Sequence, residues 1–185
     1  MKLKTIFYVT LLVITFASCS KDDSTDIEPV VKETLKTYND VEFALRDYTD
    51  DTNYGVFFST ETGKVYKQDE VDDTNGSKID IVSFSNQVFS AFMSPHDPLA
   101  NDNIPNATET IIQHIDSGIT VEQFDAMEDD TLLKGLTIID DNESVRTINV
   151  KEKIITFKNS KGKIGAIKMN LLNAERINVT IKVQL

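Results

Sequence analysis

Cysteine is nearly absent from this sequence, since Cys19 is the single one among 185 residues, and tryptophan does not occur at all. With one cysteine the chain can form no internal disulfide, so its stability must come from an apolar core. Hydrophobic residues make up 40% of the chain, which is enough for such a core. The length predicts one domain in addition to any leader segment.

Basic residues are also scarce: 19 Lys and Arg stand against 30 Asp and Glu, and the formal net charge is −11. No run of Lys or Arg is present, so we expect no nucleic acid partner. Acidic residues cluster at 69–73, 125–130 and 140–143. Their excess fits either the solubility of an exposed surface or the capture of a cation. The loop that begins at Val71 fails the EF-hand pattern, because Val71 and Val82 occupy two ligand positions, and no metal site is predicted.

Catalytic motifs are missing as well. The chain has no Gly-x-Ser-x-Gly elbow, phosphate loop, dinucleotide fingerprint or His-Glu-x-x-His helix, and no cysteine beyond Cys19 for thiol catalysis. A hydrolase with a pair of carboxylates stays open, because it needs only two positioned acids and the many acids here conceal any such pair. The prediction is a protein that is not an enzyme.

The first residues carry the clearest signal. Lys2 and Lys4 form a basic head, residues 6–16 are an almost uninterrupted apolar run, and Ala17 and Ser18 lead to Cys19. A basic head, a short apolar run and a small-residue exit are typical of a secretory signal peptide, and the run is too short for a permanent transmembrane helix. Residues 1–18 are therefore predicted to be a signal peptide.

The end of this segment resembles the lipobox of bacterial lipoproteins, with Phe16 where Leu is usual. The resemblance implies that Cys19 receives a diacylglycerol and, after cleavage, a further acyl chain such as palmitate. Several acyl chains hold a protein firmly to a bilayer. Lys21, Asp22 and Asp23 then resemble the export signal of Bacteroidota surface lipoproteins. This implies an outer membrane lipoprotein exposed at the cell surface, with a periplasm-facing anchor as the alternative.

Residues 19–30 are polar and acidic and predict a flexible tether, which leaves residues 31–185 as a single β-rich domain. Residues 30–39 predict a short helix with Val31, Leu35 and Tyr38 on one side. Residues 41–47 predict a half-buried strand, because Val41, Phe43 and Leu45 stand at alternate positions. Residues 54–67 then predict a hairpin, and residues 78–85 and 87–94 an antiparallel pair of strands.

The middle of the chain predicts helix, because Thr120 and Gln123 form a capping-box pattern. The last forty residues predict strands, with a hairpin apex at residues 159–162. In residues 177–185 apolar and polar residues alternate, which places Lys182 on a solvent-facing side. The predicted fold class is α+β, mainly β: an antiparallel sheet or sandwich with a short helical insertion in the middle of the chain.

Residues 154–172, the terminal strand and residues 57–66 resemble pieces of the HmuY-type lipoproteins. These β-rich, lipid-anchored surface proteins of Bacteroidota capture haem with paired His or Met ligands. If the function carries over, Met93 and His96 are the first ligand candidates, and His114 is a third. Alternatively, His96 is an exposed loop residue and His114 packs beside Ile112 and Ile115.

The sequence thus predicts a lipid-anchored, surface-exposed lipoprotein that acts as a non-catalytic ligand-binding or accessory module. Its partners are the lipid bilayer, through acylated Cys19, and an unknown ligand or envelope protein. A haem-capturing protein is the alternative, and haem its cofactor, whereas the main prediction has none. A surface hydrolase with a carboxylate pair is the second alternative.

Overall fold

The computed structural model describes residues 33–45, 54–85, 89–99, 104–141, 143, 145–146, 153–172 and 176–185. The chain divides into two units, Met1–Val31 and Lys32–Leu185, and every described residue belongs to the second. The predicted lipid site Cys19 and the export signal Lys21, Asp22 and Asp23 lie outside the described residues, as do the predicted signal peptide and tether.

Two five-stranded antiparallel sheets form the framework. The strands are β1 (Leu35–Ala44), β2 (Phe57–Phe58), β3 (Val65–Tyr66), β4 (Ile81–Ser85), β5 (Phe89–Met93), β6 (Ile111–Gln113), β7 (Val145–Arg146), β8 (Ile154–Lys158), β9 (Ile164–Leu172) and β10 (Arg176–Gln184). The first sheet has the order β1-β10-β9-β8-β6 and the second the order β3-β2-β4-β5-β7. Helices α1 (Val121–Asp125) and α2 (Thr131–Lys134) are the helical insertion, and short 3-10 turns lie at Gln68–Glu70 and Gly76–Lys78. The predicted α+β, mainly β, fold class is confirmed.

One apolar core joins the inner faces of the two sheets. The first sheet supplies Phe43 and the alternate residues of β10, and the second supplies Phe58 and Phe92. The Phe43 ring contacts those of Phe58 and Phe92 edge-on, with centroids 6.2 and 5.6 Å apart. Because full burial of a phenylalanine contributes about 1.5–3 kcal/mol, this triad is a large part of what holds the sandwich together.

A helical layer covers the other face of the first sheet. In α1 the Thr120 hydroxyl accepts from the Gln123 N–H and the Gln123 side chain accepts from the Thr120 N–H, so the predicted capping box is confirmed. Phe124 and Leu133 from the two helices pack with Ile154 and Ala166 of the sheet. Within the described ranges, no helix is long and apolar enough to cross a membrane.

The position predicted for Lys182 is wrong. Its side chain points away from the core as the alternation requires, but the helical layer covers that face and the residue is only 8% exposed. Its Nζ donates to the carbonyl oxygens of Phe124 (2.8 Å) and Met127 (2.7 Å). A buried ammonium needs such partners, so Lys182 fastens the end of α1 to β10.

The helix predicted at residues 30–39 is also wrong over its described part. Residues 35–44 form β1, which pairs antiparallel with β10 from Leu35 opposite Gln184 onward. Leu35 packs against the helical layer and Tyr38 against the central core, so the two face opposite sides. A bulge between Tyr38 and Val41, with Asp40 at φ 54°, keeps later residues in register. Pairing with a long neighbouring strand thus overrides the weak helical pattern.

Candidate functional site at the open edge of the sandwich

The two sheets come together at an edge formed by β5 and β6. In the second sheet, the described residues of β7 pair with Phe89 and Ser90 of β5 and with no later residue of that strand. In the first sheet, β6 is the last of the described strands and pairs with β8. The later part of β5 therefore needs other partners for its outward-facing backbone groups.

His114, directly after β6, supplies that partner. It is 4% exposed, and its Nε2 accepts a hydrogen bond of 3.0 Å from the backbone N–H of Phe92. Its Nδ1 lies 3.0 Å from Oδ1 of Asp141. Since the lone pair on Nε2 faces a donor, the ring proton lies on Nδ1 and points at the carboxylate. In this arrangement neither ring nitrogen has a lone pair left for a metal.

Asp141 fixes the chain around this histidine. Its Oδ2 accepts from the N–H groups of His114 (2.6 Å) and Ile115 (2.8 Å), and its Oδ1 also accepts from that of Glu143 (3.1 Å). Burial alone would raise the pKa of the Asp141 carboxyl. The hydrogen bonds from Ile115, from the His114 ring and from the other two amides outweigh burial and hold that pKa below its ordinary value of 3.8.

A cavity of about 130 Å³, called the edge cavity here, lies beside His114. Its inner wall carries Thr110, Ile112 and His114, which alternate along one face of the β6 segment, and Phe92 of β5. Thr110 is 1% exposed, and its backbone N–H donates to Ser94 Oγ at 3.0 Å. Its hydroxyl, in contrast, is buried without a hydrogen-bond partner among the described residues.

Three carboxylates are among the residues that line the cavity. They belong to Asp97, Asp140 and Glu143, and among the described residues no Lys or Arg lines it. Asp97 caps its own turn, since its Oδ1 accepts from the Leu99 N–H at 2.7 Å. The lining therefore combines an apolar wall with negative charge.

The structure brings two of the three candidate ligand residues to one cavity. His114 and Met93 both line the edge cavity, but Met93 also packs against the apolar cluster on the outer face of the second sheet. His96 is exposed on the turn after β5, its N–H donates to Ser94 Oγ at 3.3 Å, and it is not among the cavity's lining residues. The cavity is also smaller than the about 300–1,000 Å³ typical of ligand sites.

Two larger concavities, of about 330 and 470 Å³, lie along the helical layer and are lined largely by exposed residues. Among the described residues, no three His, Cys, Asp or Glu side chains are placed to hold a metal ion. Asp72, in the loop tested above for calcium, accepts from Thr74 and Asn75 instead.

Asp80 is a buried acid away from the cavity, and its contacts hold two turns together. Its Oδ2 accepts from the N–H and hydroxyl of Thr60, both at 2.7 Å, and the Thr60 hydroxyl also accepts from Asn159. Burial is the main cause that raises the pKa of Asp80, against the opposing effect of the Thr60 hydrogen bonds. The β2–β3 and β8–β9 turns are joined in this way, and Lys161 pairs with Glu61 across them.

Sequence reasoning did not single out Thr110, Asp97 or Asp141. One signal was present: Thr110, Ile112 and His114 alternate with more exposed residues, which is a strand pattern over five positions. No sequence pattern indicated that His114 pairs with Asp141, because 27 residues separate them in the chain.

No protein-family model matches the chain, and no curated protein matches it in sequence. Among solved structures, the fold is similar to the crystal structure of a DUF4466 family protein from Parabacteroides merdae, a member of the Bacteroidota, with a TM-score of 0.56 and 14% identity. The match covers 82% of this chain and 54% of that protein, so the chain spans about half of its length. At this identity the likeness shows a shared β-rich fold.

Proposed function

We propose that this chain is a lipid-anchored envelope lipoprotein that faces the cell exterior and acts as a non-catalytic ligand-binding or accessory module. The observation that carries the proposal is Cys19, the single thiol of the chain, placed after a basic head and a short apolar run. A similar fold in a Bacteroidota protein supports it, because the Lys21-Asp22-Asp23 segment resembles the surface export signal of that group.

The contacts of the acids near the edge cavity support a binding role over a catalytic one. Asp141 is occupied by three backbone N–H groups and the His114 ring, and Asp97 caps a turn. Carboxylates used in this way stabilise loops. A hydrolase needs an acid and a base that face one substrate across a cleft.

Haem capture is the less favoured alternative. Met93 lines the edge cavity but His96 does not, and both nitrogens of the third candidate, His114, already have protein partners. Titration with haemin separates the two functions. We expect no Soret band shift at micromolar haemin. A shifted band that disappears in both Met93→Ala and His96→Ala would replace the binding-module proposal with the haem function.

Lipidation is tested by expressing the full chain in a Bacteroidota host supplied with an alkyne-labelled fatty acid. We expect label on the wild-type protein and none on Cys19→Ser, with intact-mass analysis locating the lipid on residue 19. Wild-type protein recovered from the medium with a free thiol would refute the anchor.

Surface exposure is tested separately, by protease treatment of whole cells. We expect the wild-type domain to be cleaved, and the variant with Lys21, Asp22 and Asp23 all changed to Ala to be protected although it is still lipidated. Equal protection of both would place the domain on the periplasmic side.

A further inference from the structure

We propose that His114 is an acid-sensitive latch: when its ring takes up a second proton, the contact between β5 and the end of β6 breaks and this edge of the sandwich opens. The contact is the 3.0 Å hydrogen bond from the Phe92 N–H to Nε2 of His114. It joins the two sheets directly, because Phe92 belongs to the second sheet and His114 follows the last described strand of the first.

The latch holds only while the ring is neutral. A neutral imidazole has one donor nitrogen and one acceptor nitrogen, and both are used here. Nδ1 donates to Asp141 Oδ1 at 3.0 Å, and Nε2 accepts from Phe92. A second proton can bind only to Nε2, the nitrogen that has a lone pair. The ring N–H and the Phe92 N–H would then face each other across 3.0 Å, and two donors form no hydrogen bond.

Asp141 determines which side of the ring gives way. Its Oδ1 attracts the ring more strongly once the ring is positive, because a hydrogen bond between charged groups is stronger than one to a neutral donor. Its Oδ2 is fixed by the N–H groups of His114 and Ile115, at 2.6 and 2.8 Å. The ring therefore stays with the segment after β6, and Phe92 separates from it. Phe92 is 1% exposed, so its N–H reaches water only if the edge opens.

The charges around the ring accommodate its positive form. The described charged side chains that line a concavity together with His114 are Asp97, Asp140 and Glu143 in the edge cavity, and Asp116 and Lys153 in the concavity of about 330 Å³. Acids outnumber the single lysine in this set. Asp141 also keeps its charge in mild acid: burial would raise its pKa, but the hydrogen bonds that it accepts hold the pKa below 3.8.

The opening would change access to the edge cavity. One side of that cavity is formed by Ala91, Phe92 and Met93 of β5, and the other by Thr110, Ile112 and His114. The bond between Phe92 and His114 spans the two sides. When this bond breaks, the two sides can move apart, so acid would widen the cavity and expose backbone groups of β5 that the histidine now protects.

The test is amide hydrogen exchange of the full chain between about pH 7.5 and about pH 5, the range in which histidine changes its charge. Each rate is corrected for the intrinsic effect of pH on exchange. We expect the protection of the Phe92 amide to fall about tenfold, which corresponds to the loss of one hydrogen bond. The protection of Ile181, which is buried on a central strand of the first sheet, should not change.

NMR of the ring nitrogens gives a second readout that needs no variant. The chain has two histidines, so the His114 signals can be assigned by comparison with His96→Gln. We expect the proton on Nδ1 at neutral pH. The midpoint of the His114 titration should coincide with the midpoint of the loss of Phe92 protection.

Two variants assign the response to one ring. His114→Gln keeps an acceptor oxygen but has no group that takes up a proton in this range, so the protection of Phe92 should not depend on pH. His96→Gln removes the other histidine, which is exposed and outside the edge cavity, and should respond as the wild type does. If His114→Gln does not fold, the coincidence of the two wild-type midpoints decides the question.

The proposal is overturned if Phe92 protection stays constant while His114 takes up its proton, or if His114 remains neutral throughout the range. It is also overturned if Ile181 loses protection in parallel, since the whole fold would then respond, or if the response persists in His114→Gln. None of these results depends on Cys19, so failure here leaves the anchor proposal standing, and loss of lipidation leaves the latch standing.

Discussion

Replacing Lys182 by methionine tests whether one ammonium group fastens the helical layer to the first sheet. Lys182 Nζ donates to the carbonyl oxygens of Phe124 and Met127, and it lies 5.1 Å from the centroid of the Phe124 ring. Methionine keeps most of the apolar stem and removes only the donor. The Met127 oxygen would then lose its ammonium partner at a buried residue.

The magnitude follows from these contacts. Two hydrogen bonds from a charged donor contribute about 1.5–3 kcal/mol each. Burial is the main cause that lowers the pKa of Lys182, so part of that gain already offsets the loss of hydration of the ammonium. We expect Lys182→Met to lower the free energy of unfolding by about 2–4 kcal/mol.

Lys168 provides the matched control. It stands on the neighbouring strand β9, its Nζ is 5.6 Å from the same Phe124 ring, and it pairs with Asp125, whose side chain is largely exposed. Exposed ion pairs contribute about 0–1 kcal/mol, so Lys168→Met should cost less than about 1 kcal/mol. Both variants lose one cation–π contact and one positive charge, but only Lys182→Met loses the contacts with buried carbonyl oxygens.

Urea unfolding followed by circular dichroism measures both changes, because the chain has no tryptophan for fluorescence. Amide hydrogen exchange gives a local readout, and Lys182→Met should speed exchange in α1 more than in β8. Equal costs for the two variants would refute the idea that the carbonyl contacts carry the stability. A cost below about 1 kcal/mol for Lys182→Met would do the same.

Three further perturbations test other contacts. Gly63→Ala should destabilise the protein more than Gly162→Ala. Both glycines have positive φ, but a Cβ on Gly63 would lie 2.3 Å from the Tyr38 ring, whereas one on Gly162 meets nothing within 4 Å. Equal midpoints of the two variants in thermal unfolding would contradict this. Phe43→Ala should cost about 3–5 kcal/mol in urea unfolding because it empties the centre of the aromatic triad, and a loss under about 1 kcal/mol would show that the two sheets do not depend on it. Because the pKa of Asp141 is lowered in the folded protein, the unfolded chain binds a proton at this carboxyl more readily. The Asp141 carboxylate therefore stabilises the fold above its ordinary pKa of 3.8. That stabilisation is lost as pH falls through the lower pKa of the folded state. Asp141→Asn should therefore be less stable than wild type at neutral pH and lose less stability on acidification below that range, and parallel stability–pH curves would refute the assignment.

The parts of the fold that could be predicted from the sequence are those that local patterns determine. Strands β8 to β10 follow from apolar residues at alternate positions, and α1 from the Thr120 and Gln123 capping box. Strand β1 could be predicted only from Val41 onward, where apolar residues stand at alternate positions. Its first half could not be predicted, because its pairing with β10 joins segments at opposite ends of the domain. The prediction that Lys182 faces solvent failed for the same reason. Nothing near Lys182 in the sequence shows that α1 covers its face of the sheet.

The candidate site depends on contacts of this long-range kind. His114 was considered as a ligand because of its residue type, but its role depends on the N–H of Phe92, 22 residues earlier, and on Asp141, 27 residues later. Thr110 is inconspicuous in the sequence. It becomes informative only when the structure shows that its hydroxyl is buried without a partner.

The edge of the sandwich beside β5 is closed by a side chain and not by a strand. A strand that continued β7 along β5 would satisfy the Phe92 N–H by a ladder hydrogen bond and would leave little room beside it. Here the His114 side chain satisfies that N–H from the opposite sheet, and Asp141 holds the ring in place. A side chain satisfies only one backbone group and does not fill the edge as a strand would, so the cavity beside Thr110 remains. The histidine that protects the edge from pairing with another chain is thus also part of the wall of this cavity.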